Sequence, residues 1–334
     1  MRNLALKVCL LISIFFANHV SATSIQIVVR DGAGEGFRSN QAVAPVRGNP
    51  GTTLGQQYQN VFNAAAAVWE HRVDSSVPIL IDAALDPLSC STNSGVLGSA
   101  GPLNGFVDFP NAPVSNTIYV VAQANSHAGI DLDESSSDIV ATFNSRLGTP
   151  GCLTSLNWWL GINSPAPSGT ISLYDTVLHE IGHGLGFLSL VDSQGQRLAN
   201  LNDAFMLNLT DVSRGPWASL SNNGRRASSV NNGGLVWSGR NVAVGAGVFT
   251  QGRTGGRLRM FAPSTFQSGS SVSHWDTVLS PDELMEPIAT NSSDACATVL
   301  AFKDMGWATM NECEPLFVIA SGFIAPIINL LLGD

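Results

Sequence analysis

Charge is scarce in this 334-residue sequence, at 12% of residues, and lysine is scarcer still: Lys7 and Lys303 are the only two. The formal net charge is −9. That net charge argues against a nucleic-acid partner held by phosphate contacts. No CxxC spacing occurs, which argues against a zinc knuckle. No internal repeat or low-complexity tract is visible. Glycine is frequent, 33 residues, but lacks the collagen period. What is abundant is apolar: 44% of residues, enough to bury a large core and to exclude a disordered chain. The length suits one large domain or two modest ones.

The two ends differ from the rest. Met1 to Ala22 reads as a secretory signal, with Arg2 and Lys7 at its start, an apolar stretch from Val8 to Ala17 and small residues at Val20-Ser21-Ala22. A membrane anchor is the competing reading, but the run falls short of the roughly 20 residues a span requires. Cleavage after residue 22 leaves 14 basic and 25 acidic residues, a net charge of −11. It also leaves four cysteines, Cys90, Cys152, Cys296 and Cys313, an even number suited to an oxidising compartment. Of the three possible pairings, Cys90–Cys152 with Cys296–Cys313 keeps each bridge within one half of the chain. Leu316 to Leu332 is largely apolar and as a helix would cover about 25 Å. It reads either as a tail that brings the protein to a membrane or as a buried terminal element.

Between the ends the pattern is mixed. Ser24–Val29 reads as a strand, Gln56–Val73 as an amphipathic helix and Val77–Ala83 as a second strand. Residues 84–116 read as irregular. Asn116–Ala122 and Ser137–Phe143 read as strands, 147–170 as loop, and Leu173–Leu188 as one long helix. Residues 192–272 suggest loops and short strands, and Ala295–Met305 a closing helix. Asp131, Asp133, Glu134 and Asp138 form an acidic cluster. A Ca²⁺ loop is conceivable there, because hard cations take several carboxylate oxygens. A solvated loop ahead of a strand is the plainer reading.

The chemistry concentrates in Thr176–Phe187, which contains His179-Glu180-Ile181-Gly182-His183. Residues four apart share a helix face, so His179 and His183 can aim at one point. Such a point suits Zn²⁺, and Glu180 can then reach a water rather than the ion. The mature chain has only five histidines, and two are used here. A catalytic zinc needs a third protein ligand and one open position.

HExxHxxG, completed by Gly186, resembles the metzincin zinc peptidases. In most of that clan a third histidine stands three residues after the glycine. Here that position is Ser189. Instead, 87 residues lie between Gly186 and His274, in Ser273-His274-Trp275-Asp276, which is followed by Asp282-Glu283-Leu284-Met285-Glu286-Pro287. This pattern is similar to the leishmanolysin-like branch, in which an insertion precedes the third histidine and the methionine of the Met-turn. The resemblance implies His274 as third ligand and Met285 as the Met-turn residue. It also implies an α+β architecture, with a twisted mixed sheet and the active-site helix above and an irregular subdomain below. The domain plan is then 1–22 signal, 23–189 catalytic subdomain, 190–272 insertion, 273–312 third ligand and Met-turn, and 313–334 tail. Phe302–Trp307 resembles the closing helix of related secreted proteins. No long propeptide carrying a cysteine switch is evident.

The activity implied is that of a secreted metalloendopeptidase acting on proteins or peptides, with Glu180 as general base toward water at the zinc. Two other readings remain open. One is an inactive zinc-containing binding or adhesion module; the other is a zinc hydrolase of a non-peptide bond. Rival third ligands are Asp192, Asp203 and Glu283, with His71 and His127 less suitably placed.

Overall fold

The computed structural model describes residues 23–289, 292 and 294–310. The signal segment, Cys313 and the apolar tail lie outside them. Along the chain run β1 (Ile25–Val29), α1 (Leu54–Glu70), β2 (Ile79–Asp86), β3 (Gly98–Pro102), β4 (Gly105–Phe106), β5 (Thr117–Val120), α2 (Val121–Ala128), β6 (Ile139–Asn144), β7 (Asn157–Trp159), β8 (Thr170–Ser172) and α3 (Leu173–Gly184). Then follow β9 (Asn202–Asp203), β10 (Leu209–Asp211), β11 (Gly215–Pro216), α4 (Asn222–Ser228), β12 (Leu235–Trp237), α5 (Arg240–Gly245), β13 (Arg253–Thr254), β14 (Arg257–Leu258) and α6 (Cys296–Met305). The class is α+β, with several small sheets.

The main sheet has the order β1-β2-β6-β3, parallel except for the antiparallel edge strand β3. In β2, Ile79, Ile81, Ala83 and Leu85 are buried at every second position, the signature of a strand facing a core. The crossover helix α1 starts with a capping box: the Thr53 side chain accepts from Gln56 N–H, and the Gln56 side chain accepts from Thr53 N–H. Its face of Val61, Phe62, Ala65, Ala66, Val68 and Trp69 is buried against the sheet and α3. Trp69 Nε1 donates to Leu178 O at 3.0 Å, tying the two helices together.

Several expectations need correction. Residues 84–116 are not wholly irregular, because Gly98–Pro102 forms β3. Its Gly, Ser, Ala and Pro residues carry no strand propensity, and it is a strand because β6 supplies its hydrogen-bonding partner. The strand expected over Asn116–Ala122 ends at Val120, and α2 begins at Val121. The β-branched pair Val120-Val121 masks that junction in sequence. In the 192–272 region, α4 and α5 are helical. The start of α5 is capped from a distance by Asp304, which accepts from Asn241 N–H (2.7 Å) and Val242 N–H (3.1 Å). A cap 62 residues away in sequence leaves no local trace.

Residues after α3 share the one core. Phe187, Phe205, Trp237 and Trp275 form a ring cluster with centroids 4.9–6.1 Å apart along its contacts. β9 also pairs with β5. No helix among the described residues is long and apolar enough to cross a membrane.

Cys90 and Cys152 form a disulfide across 62 positions of sequence. Cys296 is also disulfide-bonded, while its expected partner Cys313 lies outside the described residues. Replacing Cys90 and Cys152 together by alanine is expected to lower unfolding free energy by about 4 kcal/mol, the chain-entropy value for a loop of that size. A guanidinium melt measures it; an unchanged midpoint and slope would contradict the expectation.

Candidate metal centre

Helix α3 begins with Ser172, whose hydroxyl accepts from Asp175 N–H at 3.1 Å. Leu173, Val177, Leu178 and Ile181 bury its apolar face. The helix stops at Gly184 rather than at Leu188. The stop has the form of a Schellman motif. Phe187 N–H donates back to Gly182 O and Gly186 N–H to His183 O, both at 3.0 Å, with Gly186 at φ +113°. A side chain at Gly186 would be strained in that conformation. The motif has a second effect: it returns the Phe187 carbonyl to the helix, where it accepts from His183 Nδ1 at 2.8 Å.

His274 arrives from far along the chain. Its segment runs beside Arg259–Phe261, with Phe261 N–H bonded to His274 O and Asp276 N–H to Arg259 O. Ser189 does not approach as a ligand; its amide donates to the Ser273 hydroxyl, next to His274.

The Nε2 atoms of His179, His183 and His274 lie 3.1 Å from one another in all three pairs. Each ring is fixed by its other nitrogen. His179 Nδ1 faces Leu284 O (2.8 Å), His183 Nδ1 faces Phe187 O (2.8 Å), and His274 Nδ1 faces Ser270 O (2.9 Å). A carbonyl only accepts, so each Nδ1 carries the proton and each Nε2 presents a lone pair. The three Nε2 contacts are therefore not hydrogen bonds. They are acceptors converging with no donor among them, an arrangement that a cation completes. A tetrahedral ion with metal–nitrogen bonds of about 2.0–2.1 Å needs ligand nitrogens roughly 3.3 Å apart, close to what these rings offer. Backbone carbonyls holding the far nitrogens are the outer partners expected of metal-binding histidines. Among the described residues this is the one group of three such side chains placed to hold a metal.

Burial keeps these rings neutral. It pushes His179 down to about 4 and His183 down to about 3, and holds His274 well below the usual imidazole value. Glu180 is also buried, at 8% exposure, and desolvation raises its carboxyl to about 8, opposed by a hydrogen bond from the Ala100 backbone. Ala100 belongs to β3. The same strand covers Glu180 at Gly98, where an added Cβ would lie 3.1 Å from Glu180 Cγ. The edge strand missed in sequence is thus the roof over the carboxyl.

Met285 is fully buried beneath α3. A Cβ on Gly182 would sit 2.7 Å from its Sδ, which explains a glycine inside the helix. Gly184 is fitted likewise against Ile139, with 2.5 Å to the nearest methyl. The segment around Met285 also holds the triad: Leu284 O accepts from His179 Nδ1, and Met285 O accepts from Trp275 N–H at 2.9 Å.

The rivals have other tasks. Glu283 caps α6, accepting from Ala297 N–H, Thr298 N–H and the Thr298 hydroxyl. Asp203 accepts from Leu190 and Met206 amides, and Asp192 from Gln194 and Gln196 amides. His71 is the C-cap of α1, and His127 packs between Phe109 and Tyr119. The acidic cluster is tied up by protein donors. Asp138 holds Leu80 N–H and the Asn125 amide, while Asp131 holds Asp133 N–H and Asp133 the Ser135 hydroxyl. Asp131, Asp133, Glu134 and Asp138 do not form a metal group.

No family model, curated protein or solved structure matches this chain.

Proposed function

We propose that the chain is a zinc-dependent metalloendopeptidase of metzincin type, exported from the cell, with His179, His183 and His274 as ligands and Glu180 as general base. The observation that carries this reading is the triad of Nε2 lone pairs, each oriented by a carbonyl on Nδ1, on the helix that also bears a buried carboxyl. Imidazole donors suit zinc, copper, iron and nickel alike, and the HExxH helix is what favours zinc among them. Three protein ligands with no fourth side chain among the described residues favour an open site over a closed structural one. Zinc, when bound, supplies Lewis acidity to oxygen ligands on its open side.

The residues then divide the work. A positive charge at the triad lowers the Glu180 pKa from its buried value, so the carboxylate can take a proton from water. The Ala100 amide keeps that carboxyl oriented. As an edge strand beside it, β3 has a side without a strand partner among the described residues, along which an extended peptide can pair. Met285 and the carbonyl of Leu284 hold the ligand helix from below. The Cys90–Cys152 bridge agrees with export into an oxidising compartment.

The test is an assay on an unfolded protein substrate. Hydrolysis is expected to vanish with a chelator and return with one equivalent of zinc. Chelator-insensitive hydrolysis overturns the reading, and so does a zinc-loaded protein that cleaves nothing, which would indicate a binding module.

A further inference from the structure

Charge along the chain is segregated. Ala204 to Trp275 holds seven arginines and one acidic residue, Asp211, within a mature chain of net −11. Asp211 is already paired with Arg214 at 3.0 Å. Three of the remaining arginines, Arg253, Arg257 and Arg259, belong to or adjoin the β13–β14 hairpin. Its turn, Gly255-Gly256, has both residues at positive φ, +58° and +79°.

Beside this hairpin is a cavity of about 600 Å³, within the size range of small-ligand sites. Arg253, Arg259, Thr250, Gln251 and Val278 line it together with glycine backbone, and no carboxylate does. Both guanidinium groups are positioned by neutral acceptors. Arg259 Nε donates to the Thr254 hydroxyl at 2.8 Å, and Arg253 Nη1 to Ala246 O at 3.3 Å. Neither takes part in an ion pair among the described residues. An arginine has five N–H donors, so most of theirs remain unspent. The nearby Asp276 carboxyl, 5% exposed, feels the charge of Arg259, which opposes the upward shift that burial gives its pKa; it makes no ion pair with Arg259 and does not line the cavity.

We propose that this cavity binds a phosphate-type oxyanion carried on a larger molecule. The planar guanidinium fork matches phosphate oxygens two at a time, and two forks can engage one phosphate group. The volume exceeds what a lone oxyanion fills, so room remains for the rest of the ligand. Thr250 and Gln251 supply further polar contacts. Val278, one of the lining residues, is 44% exposed and adds an apolar contact. A lipid headgroup and a soluble phosphorylated molecule are the two sources of this chemistry. The proposal does not depend on peptidase activity.

The full chain is melted in millimolar inorganic phosphate, with ionic strength held constant by sodium chloride. A saturable rise in Tm of at least about 2 °C is expected. In the R253Q/R259Q double variant the apparent affinity should fall at least tenfold. R253Q alone, at an exposed position, should lose part of the response and guards against a double variant that folds poorly. Sedimentation with phosphatidylglycerol vesicles, against phosphatidylcholine alone, separates the sources. Arginine-dependent vesicle binding assigns the lipid headgroup; a phosphate response without it assigns a soluble ligand. Absence of a saturable phosphate response, or a response in R253Q and in the double variant equal to that of the unmodified protein, overturns the proposal.

Discussion

Replacing Glu180 by glutamine is expected to leave zinc content unchanged and to lower kcat at least about 100-fold, the lower end of what a positioned general base contributes. The substitution preserves shape. The glutamine carbonyl can still accept from the Ala100 amide, so the roof formed by β3 stays in place. What is lost is the ability to take up and release a proton. Metal analysis and single-turnover kinetics on the same preparation separate the two effects. Undiminished hydrolysis in the glutamine variant would remove Glu180 from the mechanism, and loss of zinc would recast it as part of the metal site.

The second large effect is expected at His274. Changing it to alanine removes one of three ligands, and zinc affinity should fall by more than about 100-fold. Even loss of a supporting outer partner costs about 10–100-fold, and a direct ligand is worth more. Hydrolysis should disappear with the metal. The imidazole is buried, so a folding control is needed, and near-ultraviolet circular dichroism of the metal-free variant supplies it. Full zinc occupancy in a folded His274→Ala protein would mean that another group completes the site. Glu283, Asp203 and Asp192 are poor substitutes, because each already serves backbone amides.

Much of this centre was legible in sequence, and the reason is geometric. His179 and His183 are four apart on a helix, so their shared direction follows from helical periodicity alone. The end of that helix was not legible: it was expected at Leu188, and the turn at Gly186 closes it at Gly184. The cysteine count and the placement of the pairs led to Cys90–Cys152, and that bridge is present. His274 is different. Only a resemblance in spacing suggested it, and the structure brings it to the same point through 259–261 and the carbonyl of Ser270.

What sequence did not disclose depends on backbone from elsewhere. The carbonyls of Leu284, Phe187 and Ser270 fix the three rings, yet a carbonyl has no residue type. β3 exists through pairing with β6, and its composition reads as loop. The cap of α5 by Asp304 and that of α6 by Glu283 join parts of the chain whose proximity only the fold creates. Glu283 looked like a rival ligand because a carboxylate near a histidine serves either purpose; its three donors decide which.

The central claim is that three imidazoles hold one ion. Zinc-edge anomalous diffraction from crystals of the zinc-loaded protein tests it most directly. One peak per chain is expected, bonded to Nε2 of His179, His183 and His274 at about 2.0–2.1 Å, with one side free of protein ligands. A peak elsewhere, or none at those rings despite bound zinc, would contradict the account.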